Sequence, residues 1–297
     1  MIALSPLRLA TPPIGTGTVC SALGTRPSYP QQHASTSQRR PCATAEATSP
    51  PSTQASPTAE ARRLVAPTSS IPLAHQQLPQ EPGNLYHQDG NAKELDALIR
   101  HPSFRRMAGF ASSTFHTWAP KLHAHYADTL DALIYEHPHL QRNFSNSVFA
   151  AVAFNFGPRT CSKKHRDHAN LPYGWCAVTA LGNYNYTRGG HLVLWELGLV
   201  LEFPPGCTIL LPSAAIAHSN TPVAAHESRT SFAQFTAGGL FRWMAHGFQT
   251  DEEFFRGKTP EELAAVAVEN EARCKMGLSL FSTFKEIETE LRLRGAK

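Results

Sequence analysis

The spacing of apolar residues changes twice along the chain and divides it into regions of different predicted structure. Between residues 91 and 137, apolar side chains recur every three or four positions, as in Leu122, Tyr126 and Leu130. This is the period of an amphipathic α-helix. Helical spacing returns near the C-terminus, where residues 259–262 (TPEE) carry a capping threonine, a proline at the first helical position and a capping-box glutamate. We therefore predict helices on both sides of a central region.

In that central region the period falls to two, which is typical of β-strands. Residues 147–156 (SVFAAVAFNF) alternate in this way. Further short candidates, rich in Val, Leu, Phe and Thr, are WCAVTAL, HLVLWEL, LVLEF, CTILLP, TSFAQFTA and LFRWM. Turn signals such as Gly189-Gly190 separate them, and a tight turn there would let the sheet double back. About seven or eight short strands so spaced favour an antiparallel sandwich or barrel. We predict an α+β fold with a mainly β core, a double-stranded β-helix (jelly roll).

The composition divides the chain into a tail and one domain. Residues 1–80 are dominated by Ser, Thr, Pro, Ala and Gln, so we predict a disordered low-complexity tail. Residues 81–297 are predicted to form a single domain, because their number suffices for one good core. Within it we expect helical support over residues 81–145, the jelly-roll core over 146–248 and C-terminal helices over 249–297.

Charge and cysteine content limit the classes of function. Six arginines and two glutamates give residues 1–80 the whole net charge of +4, so the remainder is balanced and carries no bulk signal for nucleic acid. Six scattered cysteines without a CxxC pair predict reduced thiols in an intracellular protein. No run of 18 apolar residues predicts a membrane helix. The N-terminus, which lacks acid before Glu46, is compatible with a mitochondrial transit peptide, although a basic disordered tail explains it better.

One candidate metal site begins with His165 and Asp167 in the stretch KKHRDHANLPYG. On an extended chain, residues i and i+2 point to the same side, so the two side chains can converge on one ion. Alone this pattern is weak, and a solvated charged loop also explains it. His218 follows the predicted strand GCTILLPS, where the chain returns to the same end of the sandwich. Two histidines and one carboxylate form the facial triad of non-haem Fe(II) oxygenases.

Other residues complete this candidate site or compete for it. Arg229 opens a predicted strand and Ser231 points to the same side, a guanidinium and a hydroxyl that suit a buried carboxylate. His226 is an alternative to His218, but only three residues separate it from Arg229. His168, beside the HxD pattern, is expected to point away from the metal.

These motifs together resemble a known family. HRD…GGHLVLW…FPPGCTILLPS…HSN…RTS is similar to the pattern of Fe(II)- and 2-oxoglutarate-dependent dioxygenases, over about residues 148–243. The phrases LPYGWCAVTALGNY, FPPGCTILLPSAAIAHSNTP and FTAGGLFRW further resemble a fungal expansion related to the TET/JBP dioxygenases. Members of that broader family oxidise the 5-methyl group of pyrimidines in DNA. One position departs from the pattern. Several branches carry a tyrosine for the distal carboxylate nine residues before the HxD histidine, where this chain has Phe156, beside Asn155.

The resemblance implies a set of roles. His165, Asp167 and His218 would hold Fe(II), and O2 would be consumed with 2-oxoglutarate in the hydroxylation of a C–H bond. The distal carboxylate of 2-oxoglutarate would bind Arg229 and Ser231, with Asn155 beside them. Asn220 is a candidate for orienting groups near the metal.

The substrate implied by the resemblance is DNA with a methylated base, which would make the protein nuclear. Such a base must leave the stack before it can react. Candidates to stack on it are Tyr173, Trp175, Tyr184 and Tyr186, and candidates to contact phosphate are Lys163 and Lys164. Ordinary packing and a solvated lysine pair explain these residues as well. The alternatives are the same chemistry on a protein side chain or small molecule, or a catalytically silent jelly roll used for binding.

Overall fold

Three helices precede most of the β structure in the computed structural model, which describes residues 2–4, 60–67, 81–84 and 89–295. They are α1 (Asp89–Arg100), α2 (Pro102–Trp118) and α3 (Pro120–Glu136). The second and third begin with proline, which fits the first helical position because it has no N–H to leave unpaired. The helical period predicted for this region is confirmed.

The strands form two antiparallel sheets. In chain order they are β1 (Ile2–Leu4), β2 (Glu60–Pro67), β3 (Pro82–Asn84), β4 (Ala151–Asn155), β5 (Cys176–Asn183), β6 (Leu192–Leu194), β7 (Leu199–Leu201), β8 (Thr208–Leu211), β9 (His218–Asn220) and β10 (Ser228–Phe235). The large sheet has the order β1-β8-β5-β10-β4-β2-β3, and the small sheet the order β7-β6-β9. These sheets and the helices confirm the predicted α+β class. The first two strands lie within residues 1–80, whose other residues, and with them most of the predicted disordered tail, lie outside the described ranges.

Alternation along the strands decides what each face of the large sheet contacts. Phe154 of β4 and Phe232 of β10 are paired across the sheet and are buried against residues of α1 and α2. Their neighbours Asn155 and Ser231, also paired, turn to the opposite face and line a cavity. One sheet therefore presents an apolar face to the helices and a partly polar face to the cavity.

The C-terminal part of the chain is helical, as predicted, but the helices begin earlier than expected. They are α4 (Gly238–Ala245), α5 (Asp251–Phe255), α6 (Pro260–Ser279) and α7 (Phe284–Gly295). The capping box predicted at Thr259 is present at the start of α6. The strand predicted for LFRWM is wrong, because this stretch lies in α4. Its buried residues, Leu240, Phe241 and Trp243, cover one helical face. None of the described helices combines the length and apolar character of a membrane span.

Candidate metal centre

The three predicted metal ligands meet at one point. Nε2 of His165 lies 3.6 Å from Oδ1 of Asp167, and Nε2 of His218 lies 3.9 Å from Oδ2 of the same carboxylate. One ligand atom from each residue lies within 4.8 Å of the others. Ligand atoms about 2 Å from a shared ion are about 3 to 4 Å apart, so this spacing suits a single metal ion. Within the described ranges, no second group of three such residues is found.

Backbone hydrogen bonds hold the ligands together. The N–H of His165 donates to the carbonyl of His218 at 3.0 Å, and the N–H of His218 donates back at 2.9 Å. Asp167 donates its N–H to the carbonyl of Ser213 at 3.0 Å. The loop with the HxD pattern is thus paired with β9 and with the segment that follows β8. This pairing explains how residues 53 positions apart converge.

Both imidazoles are oriented by a neighbouring carbonyl. Nδ1 of His165 lies 2.7 Å from the carbonyl of Lys163, and Nδ1 of His218 lies 3.0 Å from that of Ile216. Because a carbonyl only accepts, each Nδ1 carries the proton and each Nε2 keeps a lone pair for a metal. Burial lowers the pKa of His218, the carbonyl of Ile216 and the Asp167 carboxylate oppose this, and His165 lowers it further. The low pKa favours the neutral, metal-binding form of His218.

Asp167 has a partner that the sequence reasoning missed. Nδ2 of the buried Asn170 lies 3.4 Å from Oδ2 of Asp167 and donates to Oγ of Ser213 at 3.0 Å. A fixed amide beside the carboxylate limits its rotation. The sequence held a weak signal, a polar residue three positions after the aspartate.

Asn220, predicted to orient groups near the metal, joins the two segments that carry the histidines. Its Oδ1 accepts hydrogen bonds from the N–H and the hydroxyl of Ser162, both at 2.8 Å. Its Nδ2 donates to the carbonyls of Thr160 and Thr221 at 3.3 and 3.2 Å. The side chain therefore ties β9 to the stretch that leads to His165.

The triad lines a cavity of about 550 Å³ between the two sheets, and Arg229, Ser231 and Asn155 line the same cavity. Ser231 accepts a hydrogen bond from Nδ2 of Asn155 at 3.0 Å. Arg229 is only 3 % exposed, and its Nη1 donates to the carbonyl of Thr160 at 3.1 Å. Its buried Nε has no hydrogen-bond partner, and no salt bridge of the guanidinium to a carboxylate is found, among the described residues.

A buried, uncompensated guanidinium is costly unless an anion reaches it. Arg229 therefore fits an anionic ligand that enters the cavity and completes its hydrogen bonding. A bidentate carboxylate has the geometry of the guanidinium fork. This cationic anchor and the metal triad open into one space, so one ligand can contact both.

The other residues considered for the metal and ligand site differ in whether they reach the cavity. His226 is exposed and does not line the cavity, which disfavours it as a ligand. Phe156 is partly exposed and stacks on Phe154, away from the cavity lining. His168 was expected to point away from the metal, but it lines the cavity, because the chain turns after Asp167 instead of continuing as a strand.

The aromatic residues and lysines proposed to contact DNA differ in their burial and in their distance from the cavity. Trp175 stacks on Phe115 in the helical core, and Tyr173 packs beside His125. Neither lines the cavity. Tyr184 is buried next to Arg229, whereas Tyr186 is exposed. The two lysines, Lys163 and Lys164, are both exposed, and the ammonium of Lys164 lies 4.5 Å above the ring of Trp195.

No family model matches the chain, and no curated protein matches it. Among solved structures it is similar to NgTET1 in complex with 5mC DNA, at 17% identity and a TM-score of 0.37, covering 52% of this chain and 56% of that one. The 2OG complex of viral collagen prolyl hydroxylase from Paramecium bursaria Chlorella virus-1 matches at 17% identity and a TM-score of 0.22, covering 28% and 55%. An oxidoreductase of the 2OG-Fe(II) oxygenase family from Burkholderia pseudomallei matches at 28% identity and a TM-score of 0.24, covering 29% and 42%. The chain thus spans about half the length of these structures or less.

Proposed function

We propose that the chain is an Fe(II)- and 2-oxoglutarate-dependent oxygenase with a jelly-roll core. The observation that carries the proposal is the buried Arg229, whose Nε has no partner among the described residues and which shares one cavity with the triad. A metal triad alone would fit many functions. A metal triad with a carboxylate anchor in the same cavity fits a ligand that chelates metal at one end and carries an anion at the other. 2-Oxoglutarate is such a ligand.

The residues divide the work within the cavity. His165, Asp167 and His218 would hold Fe(II), which when bound supplies the activation of O2. Arg229 would bind the distal carboxylate of 2-oxoglutarate, with the hydroxyl of Ser231 as a second donor. Asn155 donates to that hydroxyl and so directs the Ser231 proton away from itself and toward the ligand. The buried apolar lining formed by Leu192, Phe203, Ile209 and Leu211 would exclude water from the reacting groups.

The jelly-roll interpretation rests on the placement of this cavity. Two antiparallel sheets of seven and three strands enclose it, and the triad connects a loop before β5 with β9 of the small sheet. Ligand sites commonly lie in the mouths of β-barrels, and a cavity between two sheets fits that placement. The order of the motifs along the chain agrees with this architecture.

For the substrate, we propose the 5-methyl group of a pyrimidine in DNA. The resemblance of the longer sequence phrases to TET/JBP-related proteins supports this choice, as do the exposed Lys163 and Lys164 next to His165, which suit phosphate contacts. The same chemistry on a protein side chain or a small molecule is the alternative, because residues 81–297 are electrically balanced. The partly buried Tyr173 and Trp175 do not line the cavity and give no support to base stacking.

The chemistry can be tested by anaerobic titration with Fe(II) and 2-oxoglutarate. We expect a visible metal-to-ligand charge-transfer band, its loss in Asp167→Ala, and its retention in the control Asp96→Ala on α1. If the band fails to appear, or persists in Asp167→Ala, the metal assignment is wrong.

The substrate requires a second assay, in which succinate release is measured with different additions. We expect stimulation by 5-methylcytosine DNA, and none by unmethylated DNA of the same sequence or by peptide. Stimulation by peptide alone would favour the alternative substrate class. A charge-transfer band without succinate release under any addition would favour a silent binding protein.

A further inference from the structure

Tyr184 lies against the side chain of Arg229, although it comes from a different part of the sheet. It follows the last residue of β5 and is buried, with 6% of the residue exposed. The Arg229 guanidinium lies over the ring, 5.9 Å from its centroid. The hydroxyl donates to the carbonyl of Phe203, a residue that lines the cavity. Burial raises the pKa of Tyr184, and the nearby Arg229 charge opposes this rise.

Two glycines with positive φ make room for this contact. Gly182 is paired with Arg229 across the sheet at φ +117°, and a Cβ there would overlap the carbonyl oxygen of Ser228. Gly190 has φ +72°, and a Cβ there would lie 2.5 Å from Cε2 of Tyr184. Both positions require glycine for their backbone conformation and for space. Gly190, the second residue of the Gly189-Gly190 pair, therefore does more than turn the chain. Because it has no side chain, it leaves space for the ring of Tyr184.

Arg229 has few other restraints in the described part of the chain. Nη1 donates to the carbonyl of Thr160, and Nε has no hydrogen-bond partner among described residues. These contacts leave Nε without a hydrogen bond that would fix its direction, and the neighbouring ring of Tyr184 restrains the guanidinium further. We propose that Tyr184 is a positioning residue that holds the Arg229 guanidinium in the orientation that receives the distal carboxylate of the ligand.

This inference rests on the proposed function. It also bears on position 156, where Phe156 stands in place of the tyrosine found in several branches of the family that this sequence resembles. The side chain of Phe156 has no hydroxyl and stacks on Phe154 outside the cavity lining. Tyr184 approaches the guanidinium from β5 instead. Its hydroxyl is used by the carbonyl of Phe203, so it supports the anchor and does not contact the carboxylate.

Ordinary core packing is the competing explanation, and ligand selectivity separates the two. A tyrosine that only fills space affects all ligands equally when it is replaced. A tyrosine that orients Arg229 affects only ligands with a distal carboxylate. The suitable pair is 2-oxoglutarate and 2-oxobutyrate, which share the metal-chelating 2-oxo acid group but differ in the distal carboxylate.

The test measures the affinity of the full chain, loaded with Mn(II), for both ligands by calorimetry. We expect the wild-type protein to prefer 2-oxoglutarate. Tyr184→Leu should weaken 2-oxoglutarate on the order of tenfold, the size of a desolvated cation–π contact, and leave 2-oxobutyrate unchanged. Tyr184→Phe, which keeps the ring, should restore most of the preference. Tyr135→Leu, a change at an exposed tyrosine on α3 far from the site residues in the chain, is the matched control and should behave as wild type.

The other outcomes are also decisive. Equal weakening of both ligands in Tyr184→Leu, or an unchanged preference, would overturn the positioning role. A wild-type protein that binds both ligands equally would overturn the proposed carboxylate anchor itself, and this result is visible before any variant is made. If Tyr184→Leu does not fold, Tyr184→Met, whose flexible side chain refills the space, is measured against the same expectations.

Discussion

Replacement of Asn220 by alanine tests whether the link between β9 and the HxD loop holds the metal ligands in place. The Asn220 side chain makes two short hydrogen bonds to Ser162 and two longer ones to the carbonyls of Thr160 and Thr221. Alanine removes all four without adding a clash. Ser162 is three residues before His165, so its release loosens the segment that carries this ligand.

The expected loss of stability follows from these contacts. The two short bonds are worth about 1 kcal/mol each, and the Ser162 N–H loses its acceptor, which carries a further penalty when buried. Ser162 is only partly buried, so solvent can reach this N–H and most of that penalty is relieved. We therefore expect a decrease of about 2 kcal/mol in the free energy of unfolding, or a fall in Tm of about 4 to 8 °C for a folded region of this size.

Metal affinity should fall as well, because outer partners of a metal site typically affect binding by about ten- to a hundredfold. Urea denaturation gives the first quantity, and titration of Mn(II) followed by the signal of the free ion gives the second. Asn270→Ala, an exposed change on α6, is the control and should alter stability by less than about 0.5 kcal/mol. A stability loss with unchanged metal affinity would show that the link supports the fold and not the ligand geometry. No change in either quantity would refute the hydrogen-bond reasoning altogether.

Three further predictions concern charge, backbone and pH. Arg229→Met should raise the free energy of unfolding of the ligand-free protein by about 1 to 4 kcal/mol in urea denaturation, because it removes a buried unpaired charge. The exposed control Arg256→Met should give no gain. A less stable Arg229→Met would refute the idea that this charge is uncompensated. Gly182→Ala should lower the free energy of unfolding by about 2 to 4 kcal/mol, since alanine there has an unfavourable φ and overlaps the Ser228 carbonyl. Gly198→Ala has only an unfavourable φ of +60°, with open space around it, and should lower the free energy of unfolding less. Equal losses in the two variants would contradict the steric argument. Burial, with a smaller contribution from His116, lowers the pKa of His123 from 6.5 to about 4. Between these two pH values the unfolded chain binds more protons than the folded protein. The free energy of unfolding should therefore fall as the pH drops from 6.5 to 4. His123→Gln should show a flatter decrease of Tm over that range than wild type, and identical slopes would refute the assignment.

The sequence allowed much of the candidate site to be predicted because its determinants are local. The i, i+2 spacing of His165 and Asp167 and the two-residue offset of Ser231 from Arg229 are properties of extended chain. The helical period of α3 and the capping box of α6 are likewise encoded within a few residues. Such features need no knowledge of distant contacts.

The failures have a common physical origin in contacts between distant segments. The stretch LFRWM is short and apolar, so periodicity alone could not distinguish a strand from α4, and burial of Leu240 and Trp243 against residues of α3 decides for the helix. The burial of Arg229 depends on Gly182, Thr160 and Tyr184, which come from separate segments. No pattern within one segment encodes that arrangement.

The hydrogen bonds of β9 link the candidate metal centre to the small sheet. Its three residues, His218, Ser219 and Asn220, have little intrinsic preference for a strand, so pairing must hold them extended. Leu194 of β6 pairs with His218 on one side, and the His165 backbone pairs with it on the other. The hydrogen bonds that make β9 a strand are therefore the ones that set the distance between the two imidazoles. A change that frees β9 from either neighbour must alter the arrangement of the two histidines, and a metal ion held by His165 and His218 would in turn stabilise the small sheet.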